Sequence, residues 1–408
     1  MNIKKYYLYR FFSELMPIYT LYLLMFEQNG LSLGQISALL AIWSVPALLL
    51  EIPSGVLADH WSRKNLMLIG SSLKAGCYMI WLFSQSFVFI AIGFLLWGIG
   101  GSLCSGAEEA LLFDTLKIEQ REDDFDRIYG KGRFLSGIST IIASLTGGYL
   151  GMRFGFNLAL SISVLMALSS GVIVASMREV NLYRQDRVQE ESKLRKNTLY
   201  YSIQFLLGRK DIFTFVLLSL LVITTAGVLD EYDQLIAKEF GLTIALIGGW
   251  SAIRFLLISC GGVLAYRIRR RFEKIFGSTD RMLPIAFLCL IAAGFLVVSG
   301  IVRVLLVMVL YGLYYFIMAV TDVMQEDYIQ QKIASEGRST VHSIIALSQN
   351  LYGMICYGLF GLVASHSELF TGLACTGGYI ALWTITISVL YLIWKKREIA
   401  VSSKNRKD

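Results

Sequence analysis

Twelve stretches of the chain are apolar over roughly the length of a bilayer crossing: 6–27, 36–58, 66–84, 87–112, 134–153, 157–176, 212–235, 244–266, 283–302, 304–325, 340–364 and 370–394. About 20 mostly apolar residues make a helix long enough to span the hydrocarbon core, so the pattern predicts twelve transmembrane helices. Polar residues gather in the short strings between them. An even number of crossings puts both ends of the chain on one side. With the N-terminus taken as cytoplasmic, 32 of the 37 Lys and Arg lie inside, while Arg153, Lys238 and Arg303 lie outside and Lys74 and Arg254 lie within spans. That asymmetry follows the positive-inside rule and predicts a multi-pass cell-membrane protein with cytoplasmic N- and C-termini.

The longest polar interruption follows the sixth span and contains REVNLYRQDRVQEESKLRKN. It divides the pattern into an N-terminal six-helix bundle (1–177), a cytoplasmic central loop (178–210), a C-terminal six-helix bundle (211–394) and a cytoplasmic tail (395–408). Similar strings recur in the same order in the two halves. GLSLGQIS (30–37) and GLTIALIG (241–248) enter the second and eighth spans, and GVLAD (55–59) and GVLAY (262–266) leave them. Trp97-Gly98 precedes Glu108 by ten residues as Tyr311-Gly312 precedes Asp322, and GKGRF (130–134) has its counterpart in SEGRS (335–339). The expectation is a pair of parallel repeats related by a pseudo-twofold axis along the membrane normal.

Composition sharpens the class. The 408 residues are 55% hydrophobic and only 16% charged, where soluble domains are about 25% charged, and the mean hydropathy is +0.60. Few prolines and no ten-residue alternation favour helices over a membrane barrel. The net charge of +7 sits between apolar runs, as expected for cytoplasmic loops and not for nucleic-acid binding. The six cysteines lie singly in apolar stretches and the three histidines are scattered; no metal or cofactor site is expected. MNIKKYYLYRFF lacks a small-residue cleavage site and reads as the start of an uncleaved first span.

At GVLADHWSRKNLML (55–68) the chain resembles the loop between the second and third helices of the major facilitator superfamily. Gly55, Leu57, Asp59, Arg63 and Lys64 match that pattern; His60 and Ser62 depart from it. The resemblance implies an all-α integral membrane fold of twelve transmembrane helices in two six-helix bundles. It also implies that Gly55, Asp59, Arg63 and Lys64 form a cytoplasmic gating latch. Physically, Gly55 would admit a neighbouring helix closely, and Asp59 would engage Arg63, Lys64 or a helix N-terminus. Two marks of drug–proton antiporters are missing: the helix-four arginine would fall at Phe94, and SLTGGYLG (144–151) lacks the usual proline.

Charged residues inside spans cost about 2.5–3.5 kcal/mol at the helix centre and therefore face a bundle interior or a watery cavity. On the fourth span Gly98, Ser102, Ser105 and Glu109 share one face, with Glu108 about 100° away. Glu109 is expected to be either a cavity or proton site or a structural ion-pair member. Tyr311, Tyr315, Asp322 and Glu326 form the corresponding stripe on the tenth span. Glu14, in RFFSELMP, either pairs with Arg10 one turn away or titrates in a cavity that the first helix lines in this superfamily, with Pro17 loosening the helix there. Glu51 and Lys74 lie at matching depth on adjacent antiparallel spans and predict a structural ion pair. Arg254, mid-span in WSAIRFLLIS, either clamps an anionic substrate group or pairs with Asp230 or Glu231.

These features predict a secondary transporter working by alternating access, a monomer in the lipid bilayer with protons as its coupling ion. Substrate and proton candidates are Glu14, Glu109, Arg254, Tyr311, Tyr315 and Asp322. Efflux of a small drug-like or amphipathic molecule is the leading expectation, and uptake of an organic anion or siderophore-like compound the second. A non-transporting membrane sensor is the alternative of another class, though no loop is long enough for an output domain. No enzymatic nucleophile or metal set converges, and no Gly-x-x-x-x-Gly-Lys loop is present to bind ATP phosphates.

Overall fold

A computed structural model describes residues 2–181, 208–276, 281–332 and 338–404. Most of the expected central loop, and the side chains of Glu51 and Asp59, lie outside the described residues. Every described element is helical. The helices are α1 (Asn2–Glu14), α2 (Tyr22–Gln28), α3 (Leu33–His60), α4 (Arg63–Phe83), α5 (Phe87–Ile118), α6 (Phe125–Phe154), α7 (Phe156–Ala175), α8 (Lys210–Leu218), α9 (Thr224–Glu239), α10 (Ile244–Phe276), α11 (Met282–Ile301), α12 (Met308–Lys332), α13 (Arg338–His366) and α14 (Leu369–Lys404). Among the described residues, 11 helices are long and apolar enough to cross a membrane.

The predicted first span is absent from that set because it is broken. Chain 6–27 is divided into α1, a 3₁₀ turn at Pro17–Thr20 and the short α2. Proline has no N–H and its ring clashes with the carbonyl four residues back, so α1 ends at Glu14. Non-helical backbone within a membrane span survives only where its polar groups find partners inside the protein. Here they do. The Ile18 N–H donates to Ser163 Oγ (3.2 Å), the Leu23 N–H to Gln234 Oε1 (3.0 Å), and Ser139 Oγ to the Phe11 carbonyl (2.5 Å).

The chain forms two compact units. The first comprises Met1–Gln189, Tyr232–Phe255 and Tyr357–Ser365. Within it α4 lies between α5 and α7, α3 packs on α5, and α1 packs on α6 and α7. Tyr22, Phe26, Tyr78, Trp81, Phe94 and Trp97 form a ring cluster around the break, with centroids 4.9–6.0 Å apart. Phe94, which stands where antiporters carry arginine, is fully buried in this cluster. The SLTGGYLG stretch supplies close packing: a Cβ on Gly147 would overlap the Pro17 carbonyl, and one on Gly148 would come within 2.9 Å of Gly248 Cα. Small residues there let α6 lie against the broken segment and α10.

The second unit comprises Glu190–Glu231, Leu256–Cys356 and His366–Asp408. In it α11 packs on α14 and α12, and Phe215 stacks on Tyr328 with centroids 3.9 Å apart. A π turn at Ser219–Ile223 joins α8 to α9. Beside it Gln349 Nε2 donates to Ser219 Oγ (2.7 Å), and the Thr225 and Tyr352 hydroxyls lie 3.3 Å apart. Arg281 Nη1 meets Asp327 Oδ2 at 2.6 Å, and Arg269 also pairs with Asp327.

Candidate functional site at the break in the first span

A cavity of about 290 Å³ opens beside the break, inside the first unit. Tyr9, Arg10, Ser13 and Glu14 come to it from the end of α1, and Tyr19 from the segment beyond. Gly70, Ser71 and Lys74 line it from α4, and Ser170 from α7. From α5 it receives Trp97, Gly100, Gly101, Cys104, Ser105 and Glu108. Those six positions repeat at three and four residues, which is one face of an α-helix. Small residues fill the middle of the face and leave the volume; Trp97 and Glu108 close its two ends.

Four charged side chains converge on this space. Arg10 Nη1 bonds both oxygens of Glu108, at 3.0 and 3.2 Å. Glu108 is 8% exposed, so the guanidinium offsets a desolvation cost that would otherwise be several kcal/mol. Lys74 Nζ lies 3.0 Å from the Ser13 carbonyl oxygen and 5.0 Å from the Tyr19 ring centroid, whose ring stacks on Trp97 at 5.4 Å. Glu14 is half-buried at the last position of α1. Two acids and two bases thus surround one small volume with no net formal charge, so a proton or a charged group entering it changes the local balance by a full unit.

The profile of the Major Facilitator Superfamily matches residues 7–357. The chain belongs to the major facilitator superfamily. It has the all-α twelve-helix fold of that superfamily, its first helix interrupted as described. Among relatives, the uncharacterized MFS-type transporter YxaM of Bacillus subtilis (strain 168) is 26% identical over 270 residues, covering 63% of each chain. The nitrite extrusion protein of the same organism is 27% identical over 278 residues, covering 67% of this chain and 62% of the relative. The chain therefore spans less than two thirds of the length of either relative. Among solved structures, the nucleoside transporter NupG superposes with a TM-score of 0.74 at 15% identity, covering 96% of this chain and 99% of NupG. The POT family transporter PepTSo gives 0.71 at 10%, covering 96% and 98%. Likenesses this distant establish the fold alone.

Within this superfamily fold the sequence candidates separate. Glu14 lines the cavity, one of the two placements considered for it; Glu109 is not among the residues lining it. It is exposed and accepts a 2.6 Å bond from the Tyr129 hydroxyl, while its neighbour Glu108 points into the site. The expected polar stripe had the right period and was set one residue, or about 100°, away from the cavity face. Arg10, read as an intrahelical partner for Glu14, binds Glu108 instead. Lys74 was expected to meet Glu51; its ammonium goes to the Ser13 carbonyl and the Tyr19 ring, and the Glu51 side chain is outside the described residues.

Arg254 is 6% exposed, and its Nε lies 3.2 Å from Asp233 Oδ2. Trp250 Nε1 donates to both oxygens of that carboxylate, at 2.9 and 3.0 Å. Asp233 lies three residues beyond Asp230 and two beyond Glu231, the partners considered from sequence. In the second unit Tyr311 and Tyr315 are buried with hydroxyls 2.9 Å apart, and Asp322 is exposed on the same helix.

Of the superfamily loop, the Asp59 side chain lies outside the described residues, and the remainder is held as follows. Arg63 is 3% exposed; its Nη1 meets Asp114 Oδ2 at 2.5 Å and the Ala110 carbonyl at 2.9 Å, both on α5. The Glu179 carboxylate accepts from the backbone N–H groups of Arg63 (3.2 Å) and Lys64 (3.0 Å) and from the Ser62 hydroxyl. It caps α4 where the helix dipole favours an anion. Among the described residues, a Cβ on Gly55 would meet nothing within 4 Å. Asp114, Glu179, Asp233 and Tyr19 had no sequence signal beyond being polar or aromatic near a span.

Proposed function

We propose that this chain is a proton-coupled secondary transporter that exports a small amphipathic solute by alternating access, with Glu14 and Glu108 as the proton-carrying groups. It works as a monomer in the cell membrane with both termini cytoplasmic, and it is not an enzyme. The observation that carries the reading is the charge-balanced cavity at the broken first span. Carboxylates beside cations in a partly enclosed site are suited to take up and release protons, and the discontinuous helix brings backbone and side-chain charge together at one level. Trp97, Tyr19 and Tyr9 give the same cavity an apolar wall for an amphipathic molecule.

The test is solute flux in proteoliposomes under an imposed pH gradient, across a panel of amphipathic cations, neutral compounds and organic anions. Export is expected to follow the gradient, and Glu14→Gln to abolish accumulation while leaving exchange of labelled for unlabelled solute. Gradient-independent flux, or full accumulation by Glu14→Gln, would overturn the assignment. Carriage of a small organic anion is a second reading, favoured by Arg10 and Lys74 on the cavity wall and in keeping with the anion in one relative's name. It predicts that the panel's anions alone are moved.

A further inference from the structure

A proline-broken helix leaves one identifiable carbonyl without its partner. In an unbroken helix the N–H of residue 17 would bond to the carbonyl of residue 13. Pro17 has no N–H, so the Ser13 oxygen needs a donor from elsewhere. Lys74, on α4, supplies it at 3.0 Å. The ammonium also lies over the face of Tyr19, 5.0 Å from the centroid, an attractive cation–π geometry.

The surroundings are those of a small monovalent cation. The carbonyl oxygens at a helix C-terminus carry partial negative charge, and unwound backbone with half-helix C-terminal ends is where transporters hold such ions. Glu14 lines the same cavity, and no hydrogen bond or ion pair to its carboxylate occurs among the described residues. Ser71 and Ser170 also line it. Each hydroxyl donates back into its own helix, to the Met67 carbonyl (2.9 Å) and the Ala167 carbonyl (2.8 Å), and so keeps acceptor capacity.

We propose that the break in the first span is a monovalent-cation site whose permanent occupant is the Lys74 ammonium, standing where an alkali or small organic ammonium ion would otherwise bind. The wild-type site then has no place for a free cation, and deletion of the lysine side chain opens one. This assignment is independent of the substrate and direction proposed above.

The test is thermal unfolding of the purified protein in detergent at constant ionic strength, with choline replaced stepwise by Na⁺, K⁺ or methylammonium. Wild type is expected to unfold at the same temperature in all four salts. Lys74→Ala is expected to melt at least about 2 °C lower in choline and to recover more than half of that loss, saturably, in methylammonium or Na⁺. Adding Glu14→Gln is expected to weaken the recovery several-fold. A saturable response of wild type to Na⁺ or K⁺ overturns the proposal, as does a Lys74→Ala protein that melts with wild type or that no small cation restores. If Lys74→Ala does not accumulate, Lys74→Arg takes its place. It keeps the charge and is expected to ignore Na⁺, and a saturable Na⁺ response in that chain is equally fatal.

Discussion

Severing the Arg10–Glu108 pair is expected to have unequal effects from its two ends. One guanidinium nitrogen lies 3.0 and 3.2 Å from the two carboxylate oxygens, and the side chains are 20% and 10% exposed. At an effective dielectric constant near 20, unit charges about 4 Å apart attract by about 4 kcal/mol. Removing one partner of a buried pair costs about 3–5 kcal/mol, chiefly because the other charge is stranded. Arg10→Met strands the more deeply buried group, so its loss belongs within that range, about 4 kcal/mol. Glu108→Gln leaves a guanidinium that still reaches solvent and keeps an amide oxygen as acceptor, so about 2–3 kcal/mol is expected.

The double variant leaves no stranded charge and should recover about 2 kcal/mol relative to the sum of the singles. Denaturant titration in mixed micelles, read by tryptophan fluorescence, measures all four chains on one scale. The reasoning fails if the two losses add to within about 0.5 kcal/mol, or if Glu108→Gln is the more damaging. Either result would mean that the pair is not the main partner of the buried carboxylate.

Three further outcomes separate the site from its neighbours. Glu109→Gln is expected to keep solute flux within about twofold of wild type, because a surface substitution away from buried partners changes little; a loss comparable to that of Glu14→Gln would return Glu109 to the site. Gly147→Val should give little folded protein by size-exclusion chromatography, since its side chain would occupy the space of the Pro17 carbonyl, whereas Gly55→Ala should elute and melt as wild type. Glu179→Ala removes the anion at the N-terminus of α4 but leaves the Ser62 cap, and should cost about 1 kcal/mol in the same titration, with its flux reduced no further than the loss of folded protein accounts for.

Much of the architecture was legible because a bilayer imposes it on each segment separately. Every predicted span from the second onward corresponds to a long apolar helix, and the superfamily loop at 55–68 pointed to the family that the profile match establishes. The first span shows where segment-by-segment reading stops. Pro17 marked a weak point, but proline inside a helix can kink or break it. The break here depends on Ser163, Gln234 and Ser139 meeting the backbone it releases. Glu108 and Glu109 make the same point within the fourth span. Adjacent residues differ by 100° of rotation, and the small-residue pattern fits either face until α1 and α4 are packed against it.

By itself, then, the chain determined its membrane class, the number of its crossings and the presence of acids that must be sheltered. Those properties follow from hydropathy and helical period, which act within one segment. Tertiary structure decided which acid meets which base: Arg10 with Glu108 across 98 residues, Arg63 with Asp114 across 51, Lys74 with a carbonyl 61 residues earlier. The physical reason is that an ion pair depends on a few ångströms and on the rotation of two separate helices. Local sequence specifies the charge of each partner but not the distance between them.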